Sequence, residues 1–191
     1  MTFTLTDAEK RLLLLIARES IEARLSNRAP SFPPSTPALE TPCGAFVTLK
    51  SGTALRGCIG HITASRSLVE TVKEVALSSA FEDPRFPPMR TDRWPGVSIE
   101  ISALSPFEPI RNVSAIQVGV HGVLVRQGPR SGLLLPQVAP EQGWDRDTFL
   151  THACYKAGLA GDAWKRADTR IEIFHAIVFG EKEQESARHG H

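Results

Sequence analysis

Apolar positions in the first stretch of the chain recur at helical spacing: Leu12, Leu13, Ile16, Ile21 and Leu25 follow the segment Thr6-Asp7-Ala8-Glu9. Thr-x-x-Glu is the form of a capping box, in which two side chains satisfy orphan N–H groups of a first helical turn, so a helix is predicted to about Ser26. Pro30, Pro33, Pro34, Pro37 and Pro42 then remove backbone donors and forbid a regular element. The segment 27–42 reads as an extended connector, and residues 1–43 as an N-terminal section packed on the domain that follows. Gly44 to Lys50 reads as a strand, Ser51-Gly52 as a two-residue turn, and Thr53 to Ile59 as the returning strand. A second capping box, Ser67 to Glu70, opens a helix carrying Leu68, Val72, Val75, Ala76 and Ala80 and ending near Phe81.

Asp83-Pro84-Arg85-Phe86-Pro87-Pro88 is too rich in proline for anything but a loop. Val97, Ile99, Ile101 and Ala103 alternate with Ser98, Glu100 and Ser102, the period-two pattern of a half-buried antiparallel strand. Ile116 to Arg126 reads as strand, bend, strand around Gly119 and Gly122, and Ser131 to Pro136 as a short loop and apolar run. Asp145 is placed to cap a helix through Phe149, Leu150, Ala153 and Cys154, which Gly158 ends as a left-handed residue. A last strand runs from Arg170 to Phe179, and the charged segment 181–191 reads as a disordered tail. Strands occur as hairpin-like neighbours rather than in regular alternation with helices. The expected class is therefore α+β, an antiparallel sheet with flanking helices.

Charge narrows the range of partners. Twenty-two basic and 21 acidic residues leave a net charge of +1, which gives no overall field for a polyanion. No run of Lys or Arg supplies a local one, and this counts against nucleic acid. The start has no basic stretch ahead of an uninterrupted apolar core, so no secretory signal is expected. Leu12 to Ala17 is too short to cross a bilayer, so no membrane is expected either. Cys43, Cys58 and Cys154 cannot all pair within one chain, and reduced thiols in a cytoplasmic setting are expected. Glycine-rich phosphate-binding signatures are absent.

Seven segments in order resemble the AMMECR domain family, called protein A of the AmmeMemoRadiSam system in microbes. They are Gly44-Ala45-Phe46-Val47-Thr48-Leu49, Leu55-Arg56-Gly57-Cys58-Ile59-Gly60, Asp83-Pro84-Arg85-Phe86, Ile99-Glu100-Ile101-Ser102, Val118-Gly119-Val120-His121-Gly122, Leu134-Leu135-Pro136-Gln137-Val138 and Lys156-Ala157-Gly158-Leu159. The resemblance covers residues 44–180 as one domain. It implies a main lobe and a smaller lobe, with a cleft between them lined by the motif segments. It also implies a working relationship with Memo-like and radical S-adenosylmethionine proteins, but no particular reaction.

Cys58 is the candidate nucleophile. Arg56 is two residues away, so on a regular strand both side chains point to one face, where a guanidinium stabilises a thiolate. Gly57 and Gly60 carry no side chain and let a ligand or backbone approach closely. The competing reading makes Cys58 a small buried hydrophobe, with the glycines serving packing. His61 falls on the opposite face of a straight strand, and two ligands fall short of a zinc site, so neither metal nor cofactor is implied. His121, flanked by small residues, is either a base for Cys58 or its substrate, or a turn residue bonded to the backbone.

Asp83 and Arg85 either bind a polar substrate or clamp their own loop as an ion pair, with the clamp favoured. Gln137 can offer an amide to a ligand. Lys156 near a helix C-terminus complements the dipole, and the family pattern keeps a site role open for it. Two functions remain. One is small-molecule handling around Arg56 and Cys58, as an enzyme or as an accessory to a partner enzyme. The other is a regulatory interaction module without catalysis.

Overall fold

A computed structural model describes residues 3–62 and 65–181; of the expected tail 181–191, Glu181 is placed with its carboxylate accepting from Arg18 at 2.6 and 2.7 Å, and the rest lies outside the described residues. The chain is α+β, and it divides into two compact units. Unit 1 comprises Met1–Leu104 and Ile177–His191, and unit 2 is Ser105–Ala176.

In unit 1, helix α1 spans Asp7–Leu25, and both halves of the Thr6–Glu9 capping box are formed. The connector does not separate two bodies. Leu39 is fully buried, and its carbonyl accepts from the Val69 N–H (3.1 Å), while the Thr41 carbonyl accepts from the Leu68 N–H (3.0 Å). Strands β1 (Ala45–Ser51) and β2 (Ala54–His61) form the expected hairpin. Its loop is Gly52-Thr53 rather than Ser51-Gly52, because Ser51 pairs with Ala54 and Gly52 takes φ +62°. Helix α2 (Leu68–Phe81) begins at Ser67, whose hydroxyl accepts from the Glu70 N–H. The Glu70 carboxylate bonds to Lys73 Nζ at 2.7 Å. Strand β3 spans Val97–Leu104.

Unit 2 opens with the short strand β4 (Glu108–Ile110), which the apolar pattern does not announce. Strands β5 (Gly122–Gln127) and β6 (Arg130–Leu134) follow, then helices α3 (Val138–Gln142) and α4 (Arg146–Lys156) and strand β7 (Arg170–Phe174). The first strand expected near Ile116 is a turn, with Gly119 at φ +83°. Asp145 caps α4 through the Thr148 N–H, and Gly158 follows the helix at φ +69°. The single last strand expected from Arg170 to Phe179 is two. The chain breaks at His175, and β8 (Ala176–Gly180) joins the sheet of unit 1.

The unit 1 sheet has the order β2-β1-β3-β8, with β1 antiparallel to both β2 and β3. Ala45, Val47 and Leu49 alternate inward with Ile99 and Ile101 to meet the apolar faces of α1 and α2 in one core. The unit 2 sheet has the order β4-β7-β5-β6, with β4–β7, β7–β5 and β5–β6 antiparallel. A separate core there gathers Val123, Val125, Phe149, Leu150 and Ile173. Among the described residues, no helix is long and apolar enough to cross a membrane.

Candidate functional site

The segment Leu55–Gly60 lies on β2, an edge strand. Leu49 pairs with Gly57 but Lys50 pairs with Leu55, so Arg56 is an extra residue opposite no partner. Such a bulge breaks the two-residue alternation and re-aims the side chain. The expectation that Arg56 and Cys58 share a face assumed unbroken alternation, and it does not carry across the bulge. Arg56 lines a cavity of about 380 Å³ together with Arg93, Phe86, Met89, Pro95 and Val97, and Cys58 is not part of the lining.

All three cysteines are free, and only Cys58 is partly exposed. Burial pushes the Cys43 thiol up to about 11 and raises that of Cys154. Thr48, directly opposite Cys58, turns its hydroxyl toward the sulfur at 3.3 Å. Among the described residues, no histidine or carboxylate hydrogen-bonds this thiol.

The free edge of β2 is held by the Asp83–Arg85 loop. The Cys58 N–H donates to Asp83 Oδ2 at 2.8 Å, and an Arg85 Nη donates to the Cys58 carbonyl at 3.0 Å. Arg85 also grips both oxygens of Asp83, with Nε at 2.9 Å and Nη at 2.7 Å. The pair thus occupies the backbone positions a neighbouring strand would take, which closes an edge otherwise open to pairing. Asp83 is buried and charged. The Arg85 guanidinium, then the N–H groups of Cys58 and Arg85, hold its carboxyl well below the usual range against the effect of burial. The guanidinium bonded to Cys58 is that of Arg85.

Both glycines of the segment sit at close contacts. A Cβ on Gly57 would stand 2.0 Å from the Ser79 carbonyl oxygen of α2, and one on Gly60 would stand 2.2 Å from the Phe46 ring. Ser79 completes the junction, its hydroxyl accepting from the Ile59 N–H (2.9 Å) and donating to the Val47 carbonyl (2.8 Å). His61 Nε2 meets Glu74 of α2 at 3.2 Å. No cluster of three or more His, Cys, Asp or Glu suited to a metal occurs among the described residues.

His121, Gln137 and Lys156 belong to unit 2. His121 Nδ1 accepts from the Gln117 N–H at 3.1 Å, which places the proton of the neutral ring on Nε2. Its ring packs edge-on against His175 at 4.8 Å, and burial, then His175, lower its pKa. Gln137 stands at the start of α3 without a side-chain capping bond, and Lys156 is the basic residue in the last turn of α4.

A model of the AMMECR1 family matches residues 14–179. The chain belongs to that family. A protein of Methanopyrus kandleri is 45% identical over 95% of this chain and 92% of its own length. One of Pyrococcus horikoshii is 40% identical over 95% of this chain and 94% of its own. The crystal structure of that uncharacterised Pyrococcus protein superposes with a TM-score of 0.84, covering 93% of each chain. The family match runs from inside α1 to the end of the apolar run in β8.

Sequence reasoning singled out Arg56 in this AMMECR1 domain but missed Arg93, Met89 and Pro95, which share its cavity. Arg93-Trp94-Pro95-Gly96 lies in the turn just ahead of β3. What places it is Trp94, whose Nε1 donates to Glu22 of α1 at 2.9 Å. That pairing is between residues far apart in sequence and carries no local signal.

Proposed function

We propose that this AMMECR1 domain handles a small molecule beside the Leu55–Gly60 segment, working in the cytoplasm as an accessory to Memo-like and radical S-adenosylmethionine proteins or as an enzyme in its own right. The observation that carries the reading is the bulge that sets Arg56 into a cavity with mixed polar and apolar walls. The walls are anchored before any ligand arrives. Met89 N–H bonds the Ala80 carbonyl at 2.7 Å, Trp94 is tied to α1, and the Asp83–Arg85 pair is tied to β2. Anchoring of this kind lowers the ordering cost of binding. Binding has more support here than covalent catalysis, because the Cys58 thiol lies outside the cavity lining and, although the Arg85 guanidinium and the Thr48 hydroxyl both reach it, no histidine or carboxylate among the described residues hydrogen-bonds it as a base.

The second reading, a regulatory protein-interaction module, draws on Val118 and Val120, which stand 37% and 47% exposed on one turn of unit 2. A thermal-shift screen of polar metabolites on the wild type and on Arg56→Ala separates the two. Stabilising compounds that lose their effect in Arg56→Ala are expected. A screen in which every stabilising compound acts equally on both proteins rejects the cavity reading and turns attention to the unit 2 turn.

A further inference from the structure

Resting on the small-molecule reading above, we infer that the cavity beside the β2 bulge takes a ligand with an oxyanion, carboxylate or phosphate, carried on an apolar body. Two guanidiniums, Arg56 and Arg93, line the same space, and neither has a carboxylate partner among the described residues. Most described basic residues of the unit do otherwise: Lys10, Arg18, Arg28, Lys50, Arg66, Lys73, Arg85 and Arg90 each hold an acid within 4 Å, while Arg11 and Arg24, outside this cavity, stand as Arg56 and Arg93 do. The acid in the lining, Asp92, accepts from Arg90 Nε at 3.2 Å, so its charge is answered from outside the pair. Two guanidiniums with no acid of their own present planar forks of N–H donors, a geometry that matches carboxylate or phosphate oxygens.

The rest of the wall specifies the body of the ligand. Phe86, Met89, Pro95 and Val97 give an apolar surface with few donors or acceptors. Free inorganic ions gain nothing from such a wall, whereas an aryl or alkyl group bearing the anion buries area against it. The position of Arg56 supports the same conclusion. An arginine placed on a regular strand would follow the alternation of its neighbours, but the unpaired residue of the bulge is free to turn toward Arg93. Preorganisation again matters: the backbone on both sides of the cavity is fastened, by Met89 to α2 and by Trp94 to α1.

The test is an NMR titration of the full chain with phenyl phosphate, benzoate and benzyl alcohol, following the backbone amides of Arg56, Gly57 and Arg93. Phenyl phosphate or benzoate is expected to shift these amides in a saturable way, with benzyl alcohol weaker by about tenfold or more. Arg56→Gln and Arg93→Gln are each expected to weaken the anionic probe by a similar factor at unchanged melting temperature. Arg130→Gln, at a surface residue of unit 2, should leave binding as it was. The better of the two anions identifies phosphate or carboxylate as the group read. Equal binding of benzyl alcohol and phenyl phosphate, insensitive to both arginine variants, overturns the anion inference while the cavity remains a small-molecule site. No shift at these amides with any probe up to about 10 mM overturns the inference and the small-molecule reading together.

Discussion

At Gly57 the absence of a side chain is set by one neighbour. A methyl group there would be driven into the main-chain carbonyl of Ser79, and α2 cannot yield without disturbing its own hydrogen bonds. At Gly60 the obstacles are the half-buried ring of Phe46, a side chain that can shift, and the Ala45 carbonyl at 2.7 Å, a shallower main-chain overlap than the one at Gly57. Gly57→Ala is therefore expected to destabilise the protein by about 2–3 kcal/mol, in the range of core overpacking, and Gly60→Ala by less. Urea midpoints measure the order, and a larger loss at Gly60 contradicts this account. Both glycines were legible as places of close approach. That the approaching group at Gly57 is a helix, rather than a ligand, depends on where α2 returns to the sheet, and no residue count along β2 contains that information.

The edge of β2 shows the same division between local pattern and assembly. The ion pair of Asp83 and Arg85 was readable from a proline-stiffened Asp-Pro-Arg turn. Its attachment to both backbone groups of Cys58 was not, because the two segments meet only when α2 brings the loop back beside the strand. Since the carboxyl of Asp83 is held below its ordinary value of 3.8, its contribution is complete above about pH 5 and is lost as the pH falls below that value. Wild-type stability is expected to fall more steeply below pH 4 than that of Asp83→Ala. At neutral pH, Asp83→Ala should lose on the order of 2 kcal/mol, having left a backbone N–H and a guanidinium unanswered. Hydrogen exchange provides the element-level check: the Cys58 amide, protected in the wild type, should exchange much faster in Asp83→Ala. Unchanged protection at Cys58 would show that the loop does not close the strand edge.

The division of the chain into units places a continuous segment, Ser105–Ala176, inside a discontinuous one. The inserted segment has its own sheet and core, and its two ends are held together. Ser105 N–H bonds the His175 carbonyl at 2.8 Å, and the His175 N–H bonds Ser105 Oγ at 2.9 Å. Adjacent ends and a private core are what an independently folding body requires. The isolated segment 105–176 is expected to unfold cooperatively on heating and to give a dispersed amide spectrum. A collapsed spectrum with no thermal transition would mean that unit 2 depends on the rest of the chain for its structure. The two-lobed expectation came from family resemblance. Hydropathy along the chain did not reveal it, because the last apolar run continues through the point at which β7 leaves one sheet and β8 joins another.

What the sequence determined by itself was whatever short-range physics controls. The capping of α1 and α4, the span of α2, the alternation along β3, the proline-bound loop and the antiparallel α+β class all rest on residues within a few positions of one another. The strand that carries Leu55–Gly60 was legible as well. Which neighbours that strand has is settled by the folded chain. A one-residue slip in register against β1 breaks the alternation between Arg56 and Cys58, and Arg56 lines a cavity with Arg93, while Asp83 and Arg85 take the strand's outer edge. Register is a property of two strands and the turn between them, and the cavity needs a third segment anchored on α1. Those constraints act between residues distant along the chain, so they exist only once it has folded.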